Sequence, residues 1–499
     1  MSIISQAIAV NTFSKSLQQN INGLKKLLPA EDVLVYSFST ADGIECAVIY
    51  ADGIVNKQLL GDLIARPLSA LHLKNEGGRY ANSIDFIEKS ALFPELKRAN
   101  TPTAAMQEIL DGNTLLLVDG ESLGLVVGAK MPPNRAVTEP PTDVAVKGPR
   151  EGFIEDVKTN MSLVRKRLKT PALRFETLRI GKRSSTAVTL CYLDGICKKG
   201  VLEEIKARLQ EIELDFAPDS SYVAALLAPR KHSIFHSLGT TEKPDIFSAK
   251  LAEGRVGILV DGSPIALTLP FILTETLQSS EDYFVSPFVA TSFRFLRLIA
   301  LVVAILLPAF YVAAQLFKMQ LLPLGLTLTI AGSVREIPLS PSLEMFVVLL
   351  LLETLKEASI RMPKYVGMSL SVVGALVLGE TAVSAGFLST PAIIIVAFSG
   401  ICLYTVPNFV ETGSLLRWIF LIIAGSIGPF GIVLCIAFIL YYLITADGFG
   451  VPLLAPFSPF TPRDLRDTLV KYDMQSLTQR PSVLRSPNPT RLKRLSKGE

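Results

Sequence analysis

Long apolar runs in the C-terminal half constrain this chain more than any other feature. Between residues 298 and 446 only twelve side chains are charged, and the runs Leu298–Phe317, Thr381–Val410 and Trp418–Ala446 contain no charge at all. About twenty apolar residues in an α-helix span roughly 30 Å, which is the thickness of the hydrocarbon core of a bilayer. A soluble chain has no need of several such runs, so the sequence predicts an integral membrane protein.

The placement of basic residues predicts the orientation of the chain. Arg294 and Arg297 precede the first apolar run, and residues 463–499 contain nine Lys or Arg against four Asp or Glu. Lys and Arg near the ends of spans favour the cytoplasmic side of a membrane. Residues 1–28 lack the apolar core of a secretory signal. We therefore expect the N-terminal region and the tail to be cytoplasmic.

The N-terminal region, which has the mixed composition of a soluble protein, contains an internal repeat. The segment AVIYADGIVNK around Asp52 is similar to VTLCYLDGICK around Asp194, and GNTLLLVDG ending after Asp119 is similar to GRVGILVDG ending after Asp261. Both pairs of aspartates are 142 positions apart. A repeat at one fixed offset predicts a duplicated structural unit. The aspartates themselves are typical of hairpin turns, with a metal or catalytic role as the alternative.

Each copy has the pattern of an α/β unit. A β-branched run ends in Asp-Gly, and a helix is expected to follow, over Lys57–Ile64 in the first copy and Val201–Leu209 in the second. Before the second copy, apolar residues recur at helical spacing over Glu151–Leu168, with acidic residues in the first turns and basic residues at the end. The basic end has two interpretations, a solvated helix end or a contact with anionic lipid.

These patterns predict an α/β soluble N-terminal region made of two duplicated subdomains, followed by an all-α multi-span transmembrane bundle. The expected division is a first α/β subdomain (1–130), a Pro-rich linker (131–150), an amphipathic helix with the second α/β subdomain (151–290), a transmembrane domain (291–446) and a basic cytoplasmic tail (447–499). The number of spans stays open at four to six. Pro308 is expected to kink the first span, and Trp418–Ala446 is expected to form one tilted helix because it is too short for two spans.

Three carboxylates in the apolar region are candidate pore or intramembrane polar residues: Glu353, Glu357 and Glu380. A charge near the bilayer centre costs at least about 2.5 kcal/mol, so it normally faces protein or water, and rings of carboxylates select cations in pores. The alternative is that these residues are ordinary charges at helix ends. Small residues nearby have the spacing that lets helices approach closely in lipid; the candidate helix-packing residues are Gly367, Ser371, Gly374, Ala375 and Gly379.

The signatures of covalent chemistry are missing. The sequence contains no P-loop, no dinucleotide-binding glycine motif and no Gly-x-Ser-x-Gly nucleophile motif. His232 and His236 have a metal-compatible spacing, but no further ligand completes a site. The five cysteines form no paired framework and are expected to be reduced packing residues. We predict a protein that is not an enzyme, with no cofactor, no metal and no nucleic acid.

Several blocks resemble the GerA family of bacterial spore germination proteins, specifically the A subunit. They include GPREGF from Gly148, NMSLVRKRLK from Asn160, EGRVGILVDG from Glu253, REIP from Arg335, LKEASIRMP from Leu355 and FGVPLLAPF from Phe449. The resemblance implies a subunit of a germinant receptor in the inner spore membrane, together with a transporter-like B subunit and a lipoprotein C subunit. It also implies an oligomeric ion channel that couples germinant sensing to ion release.

Three alternatives remain at this point. The related SpoVAF proteins share the architecture and are proposed to amplify ion release, although the blocks at Arg335 and Leu355 are closer to the germinant-receptor branch. A secondary transporter would place a site at broken helices near the midplane. A passive scaffold for partner subunits would not need the three carboxylates for ion release. At Glu380 the family often has Gln, so a family-wide role for that position is doubtful.

Overall fold

The computed structural model describes residues 12–72, 96–129, 147–230, 233–317, 323–335, 337–362 and 377–492, with isolated positions at 74–75, 78–79, 84, 87–88, 320 and 374. Most of the expected linker, residues 131–146, lies outside the described residues. So do three of the expected helix-packing residues, Gly367, Ser371 and Ala375.

The first unit is a five-stranded sheet between two layers of helices. Its strand order is β1-β2-β6-β7-β5. The strands are β1 (Val33–Ser39), β2 (Glu45–Ala51), β5 (Leu96–Ala99), β6 (Thr114–Val118) and β7 (Gly124–Val127), and β3 (Lys74–Asn75) and β4 (Gly78–Arg79) form a separate hairpin. Helices α1 (Leu17–Leu27) and α3 (Pro102–Leu110) cover one face of the sheet. The helical stretch α2 (57–69), which contains a π-helical turn at Leu60–Ala65, covers the other face.

The second unit repeats this arrangement. Its strand order, read from the other edge, is β8-β9-β11-β12-β10, which corresponds strand for strand to the first sheet. Helices α4 and α7 cover one face and α5 and α6 the other. The elements are β8 (Leu173–Ile180), β9 (Thr186–Leu193), β10 (Gly239–Thr241), β11 (Val256–Val260), β12 (Ala266–Leu269), α4 (Val157–Arg167), α5 (Lys199–Gln210), α6 (Ser220–Leu227) and α7 (Pro244–Glu253).

The aspartates of the repeat have equivalent structural roles in the two units. Asp119 Oδ1 accepts a hydrogen bond from the backbone N–H of Leu17 at 3.0 Å, and Asp261 Oδ1 accepts one from Val157 at 3.3 Å. Each carboxylate thus satisfies an unpaired N–H in the first turn of the helix that begins its unit. These contacts support the turn interpretation of the two aspartates.

Two expectations about these units need correction. Every sheet pairing among the described strands is antiparallel, so the units are of the α+β type rather than the parallel α/β type. The pairs β1–β2, β6–β7, β8–β9 and β11–β12 are hairpins, and helices lie between the other consecutive strands of each five-stranded sheet. The helix expected over Glu151–Leu168 begins only at Val157, where Asp156 caps its N-terminus through the N–H of Thr159. Glu151 lies before the helix and pairs with Lys166 and Arg167 near its C-terminal end.

The two units are joined by an ion pair at that same helix end. Arg165 of α4 is 1% exposed and donates from Nε and Nη2 to the two carboxylate oxygens of Asp32 in the first unit, at 2.8 and 2.7 Å. Its guanidinium also lies over the ring of Phe175. Lys169 reaches Asp111 of the first unit at 2.8 Å. The basic end is therefore part of the interface between the units, and neither of the two interpretations from sequence describes it fully.

The C-terminal half is a bundle of helices around the long helix α8 (Pro287–Phe317), which packs along α11 and α12. The other helices are α9 (Leu324–Val334), α10 (Pro341–Arg361), α11 (Thr390–Tyr404), α12 (Val410–Ile427) and α13 (Pro429–Thr445), with a π-helical turn at Val377–Thr381. Among the described residues, α8 and the segment Pro407–Ile427 are long and apolar enough to cross a membrane, and three shorter apolar helices accompany them.

The run Trp418–Ala446 is two helices, so the prediction of one tilted helix is wrong. Helix α12 begins at Val410 and carries Arg417 inside it, and it ends at Gly428, whose φ of +78° and ψ of −152° are open essentially to glycine alone. Pro429 then starts α13 because proline is well tolerated in the first turn of a helix. A Cβ on Gly428 would lie 2.8 Å from the ring of Phe317.

The bundle exposes apolar side chains and buries polar ones. Large apolar residues such as Ile299, Phe310 and Phe438 are 46% to 69% exposed, whereas Glu344 and Arg417 are 0% and 2% exposed. A water-soluble surface normally shows the reverse distribution. This pattern is typical of helices whose outer faces contact lipid or other subunits.

Candidate functional site

A polar network inside the bundle contains Glu353, the first of the predicted carboxylates. Glu353 on α10 accepts a hydrogen bond from Arg417 Nη2 on α12 at 2.6 Å and pairs with Lys356 one turn later. Lys356 donates to the hydroxyl of Ser414 on α12 at 3.1 Å. Two cations therefore hold Glu353, and α10 is tied to α12 at two points.

The same network continues to two more helices. Arg417 Nη1 donates to the hydroxyl of Ser399 on α11 at 3.1 Å, and that hydroxyl donates to the backbone carbonyl of Ala304 on α8 at 2.7 Å. Four helices thus meet at one guanidinium that is 2% exposed. Removing one partner of such a buried pair is strongly destabilising because it leaves an uncompensated charge.

The other two predicted carboxylates are exposed. Glu357 lies one turn after Glu353 and pairs with Arg361 at 2.6 Å, with more than half of its side chain exposed. Glu380 lies in the π-helical turn at Val377–Thr381 and is also exposed. The structure does not bring the three carboxylates together within one chain: Glu353 joins helices, while Glu357 and Glu380 face outward.

The two helix-packing candidates that the structure describes, Gly374 and Gly379, have different surroundings. A Cβ on Gly374 would lie 3.0 Å from the side chain of Leu355 on α10, so this glycine permits a close approach within the chain. Among the residues that the structure describes, none has an atom within 4 Å of the Cβ position of Gly379, which borders the large cleft described below.

The junction between the second unit and the bundle is a second polar centre. Asp282, which is 1% exposed, accepts hydrogen bonds from Arg294 Nε at 3.0 Å and from Arg297 Nη1 and Nη2, both at 2.9 Å. Arg294 also donates to the carboxylate of Asp467 at 3.2 Å and to the carbonyl of Thr468 at 3.1 Å. The N-terminal region, the first turns of α8 and the tail therefore meet at this cluster.

At the junction, the net effect of burial and neighbouring charges lowers the pKa values of Asp282 and Lys471. Burial raises the pKa of the Asp282 carboxyl, but hydrogen bonds from Arg297 and Arg294 outweigh burial, so its pKa lies below the usual range. Burial lowers the pKa of Lys471, which lies 3.6 Å from the ring centre of Tyr283, and the Arg294 charge lowers it further against the opposing effect of Asp467.

Arg294 and Arg297 precede the apolar run that starts at Leu298, as the sequence indicates, but both lie inside helix α8, which already begins at Pro287. Helix α8 contacts the turns at Leu273–Leu277 and Ser280–Tyr283. The charges of Arg294 and Arg297 are compensated by Asp282. The tail likewise packs on the second unit: Arg480 donates to the carbonyl of Ala252 at 2.7 Å, and the Ser486 hydroxyl donates to that of Ile196 at 2.6 Å.

A cleft of about 1680 Å³ opens between the second unit and the bundle. Its walls include Lys250, Glu275 and Arg297 on one side and Leu355, Glu357 and Ile393 on the other. The exposed carboxylate Glu357 therefore faces the space that separates the two halves of the chain.

Charged groups line the soluble side of this cleft in close pairs. Glu275 pairs with Arg255 at 2.6 Å and with Lys250 at 2.8 Å. Burial raises the pKa of Glu275, but the charges of Arg255 and Lys250 bring it below its usual range. Burial raises the pKa of Glu253, and the more distant Arg255 and Arg491 only partly offset this effect. Glu253 is thus the more readily protonated of the two.

The remaining predictions on single residues have simple outcomes. All five cysteines are buried and free, as expected for packing residues. His236 is half exposed and lies 3.8 Å from Glu411, and His232 lies outside the described residues. Within the described part of the chain, no group of three or more His, Cys, Asp or Glu side chains has the geometry of a metal site.

Sequence reasoning missed Asp282, Asp467 and Arg165. An isolated Asp or Arg in a polar segment gives no signal that it will be buried. Only a charged residue in an apolar segment signals a buried contact from sequence alone. An Arg inside an apolar helix, such as Arg417, requires a partner.

Comparisons with known proteins place the chain in a family. It matches the model of the Bacillus/Clostridium GerA spore germination protein over residues 21–483. Spore germination protein KA of Bacillus subtilis (strain 168) is 32% identical over 484 residues, which cover 96% of this chain and 88% of that protein. Spore germination protein GerLA of Bacillus cereus is 31% identical over 484 residues, which cover 95% of this chain and 96% of that protein.

Two further similarities are to a relative that matches nearly the whole chain and to a solved N-terminal domain. The B. subtilis membrane protein YfkQ is 32% identical over 473 residues, with 94% of this chain and 91% of that protein covered. The crystal structure of the N-terminal domain of the A subunit of the Bacillus megaterium spore germinant receptor GerK3 is 27% identical, covers 52% of this chain and 97% of that one, and has a TM-score of 0.42. The resemblance noted in the sequence is confirmed, and the chain belongs to the GerA family of spore germination proteins.

Proposed function

We propose that this chain is the A subunit of a spore germinant receptor and forms an oligomeric ion channel that couples germinant sensing to ion release. The observation that carries the proposal is the distribution of polarity in the bundle. Apolar side chains cover its outside, while Arg417, Glu353 and Glu344 lie within it. The names of the relatives, spore germination proteins, support the same role.

The proposed location and partners follow from the family. The chain is a multi-pass protein of the inner spore membrane with its N-terminal region in the cytoplasm, and it acts with a transporter-like B subunit and a lipoprotein C subunit. It contacts membrane lipid, has no enzymatic activity and needs no cofactor. The proposed division into two soluble units, a linker, a bundle and a tail is the one given from the sequence, except that the first helix of the bundle begins at Pro287.

The junction at Asp282 provides a route for coupling. The first turns of α8 are joined to the soluble region by charge-assisted hydrogen bonds, and α8 then runs through the centre of the bundle. A displacement of the soluble region would move α8 as a rigid element. Coupling also requires that a germinant or a partner prefers one of two conformations of this junction.

Within this proposal, ions pass the exposed carboxylates Glu357 and Glu380 when several chains assemble, because rings of carboxylates favour cations. Glu353 holds the wall of the pathway through its pairing with Arg417. The small residues of the segment that contains Gly374 provide the close helix contacts, within or between chains; these are Gly367, Ser371, Gly374, Ala375 and Gly379.

The test is conductance of the purified full-length chain in planar bilayers. We expect unitary ohmic steps that select cations over anions. In Glu357→Gln and Glu380→Gln the ratio of cation to anion permeability should fall, whereas Glu213→Gln, at an exposed carboxylate of the soluble region, should leave it unchanged. Imaging in mild detergent should show a ring with a central hole.

Three outcomes would contradict the proposal. Absence of conductance from correctly assembled chains would favour a scaffold for partner subunits. Flux that saturates with a substrate would favour a secondary transporter, a second candidate supported by the helix break at Gly428 and Pro429, since broken helices form the sites of many transporters. Ion release in spores that amplifies a signal started by another receptor would indicate a SpoVAF-like role.

A further inference from the structure

Four buried polar atoms of the bundle lie at one place and have no hydrogen-bond partner among the residues that the structure describes. They are the second carboxylate oxygen of Glu344 on α10, the hydroxyl of Tyr311 on α8, and both amide atoms of Gln315 one turn further along α8. Glu344 is 0% exposed and Tyr311 is 4% exposed. Buried polar groups in proteins are nearly always paired, so four orphan atoms together require an explanation.

The geometry shows that these atoms belong to one site. The backbone N–H of Ser389, which caps the N-terminus of α11, donates to Glu344 Oε1 at 2.5 Å. The Tyr311 hydroxyl lies beside the side chains of Ser389 and Gln315 and within electrostatic range of Glu344. Three helices thus direct oxygen atoms toward one another, and apolar residues such as Met345 and Leu388 surround them.

No cation in the described part of the chain balances the charge of this site. Glu344 forms no ion pair with any Lys or Arg that the structure describes. The N-terminus of α11 contributes about half a positive elementary charge, which leaves roughly half of the carboxylate charge uncompensated. A buried, unpaired carboxylate costs several kcal/mol, so a bound cation or a proton is needed.

The oxygen set indicates which cation fits. One carboxylate, one phenol, one serine hydroxyl and one amide carbonyl are hard oxygen ligands, and a single, partly compensated carboxylate favours a monovalent over a divalent cation. Calcium sites normally contain several carboxylates, and magnesium usually keeps several waters. We propose that Tyr311, Gln315, Glu344 and Ser389 form a buried binding site for a single alkali-metal cation, sodium or potassium. The proposed site rests on the burial of these side chains and on their unpaired polar atoms, and it does not require that the chain conducts ions.

Equilibrium binding of ²²Na⁺ and ⁸⁶Rb⁺ to the purified full-length chain in detergent tests this site. The wild type should bind one of these cations at about one per chain, with competition by unlabelled alkali chloride but not by N-methyl-D-glucamine chloride. Glu344→Gln, which keeps the shape and removes the charge, should weaken binding by at least about tenfold, the equivalent of about 1.4 kcal/mol. Glu411→Gln, at an exposed carboxylate of α12, should bind like the wild type.

Tyr311→Phe provides a second test if the charge variant does not fold. It removes one ligand oxygen without changing the packing, so it should weaken binding while the melting temperature without alkali cations stays at the wild-type value. No stoichiometric binding to the folded wild type would overturn the proposal. Undiminished binding in both variants would also overturn it.

Discussion

Substitution of Asp282 gives the sharpest test of how the soluble region is attached to the bundle. In Asp282→Ala, Arg297 loses its carboxylate partner. Arg294, which is fully buried, keeps Asp467 as its remaining carboxylate partner. Breaking a buried ion pair costs about 3–5 kcal/mol. Because Arg294 retains one partner, we expect a value of about 3 kcal/mol, which corresponds to a fall in melting temperature of about 6–12 °C for a domain of some 200 residues.

The pH dependence follows from the low pKa of Asp282. Burial raises this pKa, but the bonds from Arg297 and Arg294 lower it below the ordinary value, so the carboxylate contributes its stability fully above the unfolded pKa of about 3.9. That contribution is lost as the pH falls through the folded pKa. The difference between the wild type and Asp282→Asn should therefore be constant near neutral pH and should shrink below about pH 4.

The assay is thermal unfolding of the full-length chain in detergent, combined with limited proteolysis of the tail. The tail should become more accessible in the Asp282 variants, because Arg294, which holds the tail through Asp467, loses the Asp282 carboxylate that orients its guanidinium. Asp473→Asn changes an exposed carboxylate of the same tail and serves as the control. A loss of less than about 1 kcal/mol in Asp282→Ala, or a difference that grows on acidification, would refute the reasoning.

Three further predictions concern other parts of the chain. Asp32→Ala should destabilise the soluble region by about 3–5 kcal/mol, because the buried Arg165 then has no carboxylate to balance its charge and keeps only backbone carbonyls of Thr170 and Leu173; chemical denaturation measures this, and normal stability would contradict it. Gly428→Ala should cost at least about 1–3 kcal/mol through strain at its positive φ, whereas Gly332→Ala, in open space, should cost nothing in the same melting assay. Glu353→Gln should lower the melting temperature of the bundle because it weakens the network around a buried Arg, and an unchanged melting temperature would show that the ion pair is not structural.

Much of the fold was predictable because it depends on short-range patterns. The apolar runs indicated helices, and Leu298–Phe317 indeed lies within α8. The repeat predicted equivalent units, and the two sheets have corresponding strand orders. The sequence does not predict the break at Gly428, although glycine followed by proline is a strong turn signal. The apolar run Trp418–Ala446 continues across both residues and has the length of one tilted helix.

The candidate site was less predictable than the fold. Glu353, Glu357 and Glu380 were selected for the same reason, a charge in an apolar segment, yet the structure gives them different environments. Glu353 meets Arg417, which is 64 positions away in the chain. The fully buried Glu344 was not selected, because the sequence shows only that it lies near the start of an apolar run.

The sequence by itself determined the family, the duplication and the apolar character of the bundle, since each of these depends on residue types and their spacing along the chain. Only the tertiary structure decided which charges are paired. Arg165, Arg294 and Arg417 each have a carboxylate partner 133, 173 and 64 positions away, respectively, and no local pattern encodes such a distance. An ion pair depends on a few ångströms of approach in space, and that approach is set by how whole helices and sheets pack together.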